Sequence, residues 1–206
     1  MDNEGILIVV SGFSGAGKGT VMKGLMQAYD SYALSVSATT RQPREGEKHG
    51  REYFFLSTEE FEKMIAEDAL IEYAKYVGNY YGTPKAYVRE QLKKGKDVIL
   101  EIEIQGALKI REAFPEALLL FVTPPSAEVL RDRLIGRGTE TREVIDRRLQ
   151  RAGEESEGMT CYDYLIINDD LETCIKDMHN VILAEKKKIS RNQDLVSRIQ
   201  KELKEL

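Results

Sequence analysis

Residues 6–20 read ILIVVSGFSGAGKGT, and the rest of the chain is arranged around them. An apolar run, Ile6 to Val10, passes through Ser11 into a glycine-rich turn, a lysine and the start of a helix. Such a run, ended by glycine, is the pattern of a central strand in a parallel sheet, where both faces are covered. The glycines at 12, 15, 17 and 19 let the backbone curl so that several N–H groups point into one concavity. That concavity and the positive end of the following helix suit a phosphate. Lys18 adds a compact positive charge able to reach the outer phosphates of a nucleotide. Gly12, Phe13, Ser14, Gly15, Ala16, Gly17, Lys18, Gly19 and Thr20 therefore form a phosphate-binding loop for a nucleoside triphosphate. It departs from G-x-x-x-x-G-K-[ST] once: Gly19 stands where Ser or Thr belongs, with Thr20 one place later.

Outward from the loop, the apolar pattern alternates. The spacing predicts a helix over 20–29, with Val21, Leu25 and Met26 inward, and a short strand over about 33–37. The polar stretch SATTRQPREGEKHGRE, broken by Pro43, Gly46 and Gly50, is a charged loop. A strand follows at 53–56, and Ser57 with Glu60 makes a capping box for a helix to about 67. Residues 70–77 read as a strand, 79–82 as a turn, and Pro84 opens a helix ending at Gly95. Residues 38–95 thus make a mixed α+β insertion. The sheet pattern returns at 97–103 (DVILEIE), then a helix at 105–113 and a strand at 117–122. Helices over 126–136 and 141–158 flank a break at Arg137-Gly138-Thr139, and 164–167 is a last strand. From Leu171 a long polar-rich helix is predicted. This alternation is α/β, a parallel sheet with helices on both faces. Ligands bind at the carboxyl ends of such strands, where the loops at 12–19, 37–44, 101–105 and 123–126 can converge.

Composition narrows the function class. A length of 206 residues fits one domain with insertions, and a net charge of −5 argues against general nucleic-acid binding. Cys161 and Cys174 lack a C-x-x-C partner, and His49 and His179 are too few and too scattered for a histidine metal site. No run approaches the ~18 apolar residues of a membrane span, and no basic segment precedes a long apolar one. A soluble cytoplasmic protein without membrane or nucleic-acid partners is expected.

Three groups of residues carry chemistry. Gly19 removes the hydroxyl that commonly ligates Mg²⁺, so Thr20 substitutes or the ion is held by phosphate oxygens and water. Glu101, ending an apolar strand, stands where a carboxylate often orients that hydrated ion. Arginines form the second group: Arg41 and Arg44 share one loop, and Arg131, Arg133, Arg137, Arg142, Arg147, Arg148 and Arg151 crowd a segment without lysine. Arginine offers a planar fork that grips phosphate bidentately, and phosphoryl transfer is mostly alignment and charge neutralisation. A helix–break–helix bearing them can close over phosphates as a lid. Arg131, Arg142 and Arg151 read instead as solvated helix surface, whereas Arg137, beside Gly136 and Gly138, reads as functional. The third group is Tyr53, Glu72, Tyr80, Tyr81 and Thr83, for which spacing leaves a binding pocket and an aromatic core equally open.

In order, the motifs SGFSGAGKGT, SVSATTRQPREGE, IEYAKYVGNYYGTP, LEIEIQG, PPS, RLIGRGTET and IINDD resemble the guanylate kinase family over roughly residues 5–187. The resemblance implies a P-loop NTPase core (1–37, 96–136 and 159–206), a GMP-binding insertion (38–95) and a helical lid (137–158). It implies the reaction ATP + GMP ⇌ ADP + GDP with Mg²⁺. By matching motif, Arg41, Arg44, Tyr53 and Tyr81 would hold the GMP phosphate, and Ser37, Glu72 and Thr83 would read the guanine. Glu103 would contact GMP from the sheet side, Arg137 and Arg148 would meet the transferring phosphoryl with Lys18 and Arg41, and Asn168 would line the adenine site.

Phe13 replaces a proline common in the family, and Glu101 and Glu103 stand where other members carry aspartates. Two rival functions remain at this level. One is a kinase for another nucleoside monophosphate; the other is a guanylate-kinase-like module that binds phosphopeptides without catalysis. Glu72 disfavours the first, because adenine lacks the N1–H it would accept. Lys18 and the lid arginines disfavour the second. The tail beyond about 188 lies outside the resemblance, and Leu195, Ile199 and Leu203 predict a helical face packed on the core.

Overall fold

Two sheets organise the described residues, 4–76, 78–136 and 141–206 of a computed structural model. In chain order the strands are β1 (Leu7–Gly12), β2 (Tyr32–Leu34), β3 (Ala38–Thr39), β4 (Phe54–Phe55), β5 (Leu70–Tyr76), β6 (Asn79–Pro84), β7 (Asp97–Glu101), β8 (Leu118–Thr123) and β9 (Tyr164–Ile167). The helices are α1 (Lys18–Ala28), α2 (Thr58–Ala66), α3 (Lys85–Lys93), α4 (Ile104–Ala113), α5 (Ala127–Gly136), α6 (Arg142–Ser156), α7 (Leu171–Lys186) and α8 (Gln193–Lys204). None is long and apolar enough to cross a membrane.

The larger sheet has the order β2-β7-β1-β8-β9, parallel throughout. Its strands do not alternate in polarity because helices cover both faces. Ile8, Val10, Ile99 and Leu120 pack with Val21, Leu25, Leu134, Met178 and Ile182 on one face. Val9, Leu100 and Leu119 pack with Val88, Ala107 and Ile110 on the other. Each such side chain contributes about 1.5–3 kcal/mol on burial. β1 lies at the centre, paired to β7 on one side and β8 on the other. The crevice at its carboxyl end is the topological switch point of the sheet, and the phosphate loop occupies it.

The smaller sheet, β4-β3-β6-β5, comes from the insertion and rests on a small core of buried Ala38, Phe61 and Leu70. The Ser57–Glu60 capping box forms as expected, Glu60 N–H donating to Ser57 Oγ at 3.1 Å and Ser57 N–H to Glu60 Oε2 at 2.7 Å. The predicted turn at 79–82 is instead strand β6, antiparallel to β5. Gly78, at φ 78°, supplies the left-handed residue for the reversal, which frees Tyr80 and Tyr81 to pair as β formers. Tyr80 stacks on Phe61 at 5.2 Å, while its neighbour Tyr81 meets Tyr53 at 6.1 Å. The strand expected over 33–37 ends at Leu34, since residues 35–37 carry the chain from one sheet to the other.

The tail departs from expectation. The long helix from Leu171 ends at Lys186, a 3₁₀ turn spans Ile189–Arg191, and α8 starts anew. Asn192 Nδ2 caps the corner by donating to the carbonyls of Lys186 at 3.0 Å and Lys188 at 2.8 Å. Buried Glu185 pins it through Arg191 at 3.1 Å and Lys188 at 2.6 Å. The expected packing of the tail on the core is not found: α8 buries no residue, and Ile199 and Leu203 are 44% and 65% exposed. Cys174, Met178 and Ile182 of α7 already occupy the core beneath, and the corner turns the chain away from it.

Candidate active site

The phosphate loop is shaped by steric demands from both sides. At Gly17, φ 88°, a Cβ would stand 2.5 Å from Asn168 Nδ2; at Gly12 it would meet the Val122 carbonyl oxygen at 2.1 Å. Only glycine fits either place. At Gly19, by contrast, a Cβ would meet nothing within 4 Å. Packing therefore does not require glycine where the motif is irregular. Phe13 turns inward, 7% exposed, with its ring edge-on to Phe121 at 5.0 Å. Ala16 N–H donates to Phe13 O at 3.0 Å, and Thr20 and Val21 N–H to Gly17 O at 3.0 and 3.1 Å, so the loop merges into α1. Lys18 Nζ donates to the carbonyls of Gly12 at 2.7 Å and Phe13 at 3.3 Å. The ammonium thus rests on the loop, able to exchange those carbonyls for phosphate oxygens.

Asn168 anchors the loop from the end of β9. Its buried side chain donates from Nδ2 to Ala16 O at 2.8 Å, and its own carbonyl accepts from Arg133 Nη2 at 2.8 Å. Sequence singled out Asn168 as a nucleotide contact; the structure gives its amide to the loop backbone. Thr20 and Glu101 lie beside the loop, Thr20 exposed on α1 and Glu101 at the strand end. Crowding by the cleft walls pushes the Glu101 carboxyl upward although solvent still reaches it; Lys18 opposes that shift and Glu103 adds to it.

Side chains of the smaller sheet and its loop gather around Arg41. Arg41 lies with its guanidinium carbon 5.3 Å from the Tyr53 ring centroid and 5.7 Å from that of Phe55. Arg44 is exposed in the same loop. Glu47 holds the Arg41 guanidinium protonated by a side-chain hydrogen bond, with the nearby Tyr81 phenol adding to it. Ser37 sits where the chain enters this sheet, its carbonyl accepting from Phe54 N–H at 2.8 Å.

Glu72 lies where the β5–β6 register shifts between Leu70 and Tyr73, an irregularity of the kind that re-aims side chains beside sites. Gly82 lets the strands approach there: a Cβ would come within 2.7 Å of the Glu72 carbonyl oxygen. Fully buried Thr83 donates from Oγ1 to Glu72 Oε1 at 2.8 Å. Burial pushes the Glu72 carboxyl upward, opposed by the Thr83 bond and by Lys109. One carboxylate oxygen is thus committed to Thr83, and the other is left as an acceptor. Tyr80 is partly buried against Phe61, whereas Tyr53 and Tyr81 meet each other beside Arg41.

Helix α6 reaches both regions. Arg148 Nη1 donates to Ser14 Oγ of the phosphate loop at 3.1 Å. Arg151, expected to be solvated surface, is exposed and makes the i,i+4 pair with Glu155 at 2.8 Å; it also reaches Glu103, the N-cap residue of α4, at 3.1 Å. Arg151 and Glu103 are both exposed, so their pair contributes about 0–1 kcal/mol and breaks readily. Arg137 lies outside the described residues. Sequence reasoning missed Glu47 and named Arg133 only among the arginines of its segment, because their roles depend on partners that spacing does not reveal.

Comparison with known proteins adds the following. The profile of the guanylate kinase family matches residues 4–185. The chain is 51% identical to a guanylate kinase of Caldanaerobacter subterraneus subsp. tengcongensis over 199 residues, 97% of each chain. It is 50% identical to that of Bacillus subtilis over 192 residues, 93% of this chain and 94% of the relative. The crystal structure of guanylate kinase from Anaplasma phagocytophilum is similar with a TM-score of 0.69 at 34% identity, covering 91% of this chain and 89% of that one.

Proposed function

The chain belongs to the guanylate kinase family, and we propose how its own residues carry the ATP-dependent phosphorylation of GMP to GDP. The observation that supports the assignment of roles most directly is Glu72: a partly buried carboxylate with one oxygen taken by fully buried Thr83 and one left to accept. Guanine presents N1–H and an exocyclic amine to such a group. Adenine lacks the N1–H and would leave a partly desolvated carboxylate underpaired. Ser37 and Thr83 complete the base site, and Arg41, Arg44, Tyr53 and Tyr81 take the phosphate, with Glu103 facing GMP from the sheet side. In this reading 38–95 is the GMP-binding part, 137–158 the lid and the remainder the core.

ATP binds with its phosphates in the loop from Gly12 to Thr20, held in shape by Asn168 beneath Ala16. A GMP phosphate oxygen attacks the γ-phosphorus, the bond to the β,γ-bridging oxygen breaks, and ADP leaves with that electron pair. Lys18 moves from the loop carbonyls to the phosphates and follows the charge as it shifts onto the leaving group. Arg41 keeps the attacking oxygen in line, while Arg148 and Arg137 neutralise the transferring group from the lid. The contact of Arg148 with Ser14 supports a lid helix that works beside the loop.

For Mg²⁺ the fit is partial but chemically sound. Thr20 and Glu101 are hard oxygen donors beside the loop, and no cluster of three or more His, Cys, Asp or Glu exists among the described residues. Such a donor set suits an ion carried in on nucleotide phosphates with most of its waters. When bound, it supplies charge neutralisation on the phosphate oxygens. Substrates of this kind are metabolites of the cytoplasm, the compartment this reading assigns.

A coupled ADP-release assay with GMP, AMP, CMP and UMP tests the base assignment. Turnover with GMP well above the others is expected, and faster turnover with AMP overturns the role of Glu72.

A further inference from the structure

Glu47 belongs to the arginine loop, yet no part of the reaction above uses it. Its carboxylate accepts from Arg41 Nη1 and Nη2, both at 2.9 Å, and from the Arg44 backbone N–H at 2.7 Å. The Glu47 N–H returns a bond to the Arg44 carbonyl at 3.1 Å, so the carboxylate is locked into its own loop. The two side chains are only 16% and 18% exposed. Arg41 Nη1 spends its second hydrogen on the Gln42 carbonyl at 2.7 Å. A guanidinium offers two flat edges to an oxyanion, the end-on Nη1/Nη2 edge and the side-on Nε/Nη2 edge. Glu47 fills the first. The bonds of Arg41 to Glu47 and Gln42 leave Nε unused, and the Tyr81 phenol, assigned to the same phosphate, approaches this guanidinium.

We propose that Glu47 is a positioning residue for the acceptor phosphate: it holds the end-on edge of Arg41 and the backbone of Arg44, presenting the Nε/Nη2 edge of Arg41 as the fork for GMP. The inference rests on the assignment of Arg41 to that phosphate. A carboxylate beside a phosphate site could instead be a competitor that the ligand must displace. Geometry decides against this, because swinging Glu47 away would break its bonds to Arg41 and Arg44 together and leave a free fork unoccupied. The phosphate adds to the ion pair rather than replacing it. Glu47 lowers the net charge of the grip, and the compensation is order: a long, flexible side chain is already in its binding rotamer over Tyr53 and Phe55 when GMP arrives.

The test is a comparison of ligands with and without the phosphate on Glu47→Gln, Glu47→Asp and Arg41→Met. Calorimetry would measure GMP and guanosine, and steady-state assays would separate KM from kcat. For Glu47→Gln we expect KM for GMP to rise about tenfold or more, with kcat changed much less and guanosine affinity unchanged. Glu47→Asp keeps the charge but retracts it and should fall between, and it carries the test if the glutamine variant does not fold. Tighter GMP binding in Glu47→Gln would identify a competitor and overturn the proposal. Equal weakening of GMP and guanosine would reveal only a loop-ordering role, and no change in either would remove the role altogether. If Arg41→Met leaves KM for GMP intact, the phosphate assignment itself fails; if it weakens GMP while Glu47→Gln does not, only this inference fails.

Discussion

Around residues 12–20 the donors proposed for phosphate are mostly backbone N–H groups, on a loop that follows the central strand of a sheet buried on both faces. Around Arg41, Tyr53, Glu72 and Tyr81 the donors and acceptors are side chains, held by other side chains over a core of Ala38, Phe61 and Leu70. In the function proposed above, the two regions would hold phosphate on different supports. A backbone site depends on shape: it is spoiled by an added Cβ at Gly17 and is indifferent to much surface chemistry. A side-chain site depends on individual charges and on a small core whose local opening costs little. That asymmetry suits the chemistry, since a triphosphate needs a generic cradle whereas a base needs a specific reader.

The sharpest way to break the contrast is Phe61→Ala. Removing the largest side chain of the small core costs about 3–5 kcal/mol, enough to open the insertion. GMP binding by calorimetry should vanish while an ATP analogue still binds; loss of both would mean that the two supports are one cooperative unit. Next in size, Lys18→Ala should lower kcat by about 10²–10³ with an unchanged melting temperature, because Lys18 acts on transition-state charge and packs nothing essential. Near-normal turnover would refute its role.

Glu72→Gln sharpens the side-chain half. Each charge-assisted hydrogen bond contributes about 1.5–3 kcal/mol, so KM for GMP should rise by about ten- to a hundredfold with a smaller change in kcat. The pH dependence carries a sign. Burial raises the Glu72 carboxyl, so on acidification it protonates before an ordinary glutamate and GMP affinity falls. Its contribution to folding stability runs the other way: the native state holds the proton more tightly, so stability rises as pH falls through that window. Titration of KM for GMP in wild type and Glu72→Gln checks this, and an acid limb that persists unchanged in the variant assigns it elsewhere. The smallest effect expected is truncation after Asn192. With no residue of α8 buried, stability should move by no more than about 0.5 kcal/mol in urea denaturation.

Legibility in the sequence followed how local the determinants are. The core strands were readable because an unbroken apolar run tells that both faces are covered, and the Ser57–Glu60 box because its two bonds span three residues. Asn79–Gly82 was misread as a turn since asparagine and glycine signal reversal, while the actual reversal sits at Gly78 and the tyrosines pair across the sheet. The face of α8 predicted core packing by its spacing. Spacing states that a helix has an apolar side and says nothing of whether the core still has room. Arg151 read as solvated surface and is exposed, paired at i,i+4 with Glu155; its added reach to Glu103 is a tertiary contact that spacing does not show.

The amino-acid sequence alone determined the phosphate loop, because a strand, a glycine turn and a helix start are consecutive and their backbone demands act within a few residues. It also determined that Arg41, Arg44 and Glu47 share one loop. Folding decided what holds each of them: Asn168 reaches Ala16 from 152 positions away, Arg148 reaches Ser14 from 134, and Glu47 takes one edge of Arg41 and leaves the other open. Contacts of that kind depend on packing and on the direction of a side chain, and neither leaves a periodicity in the chain.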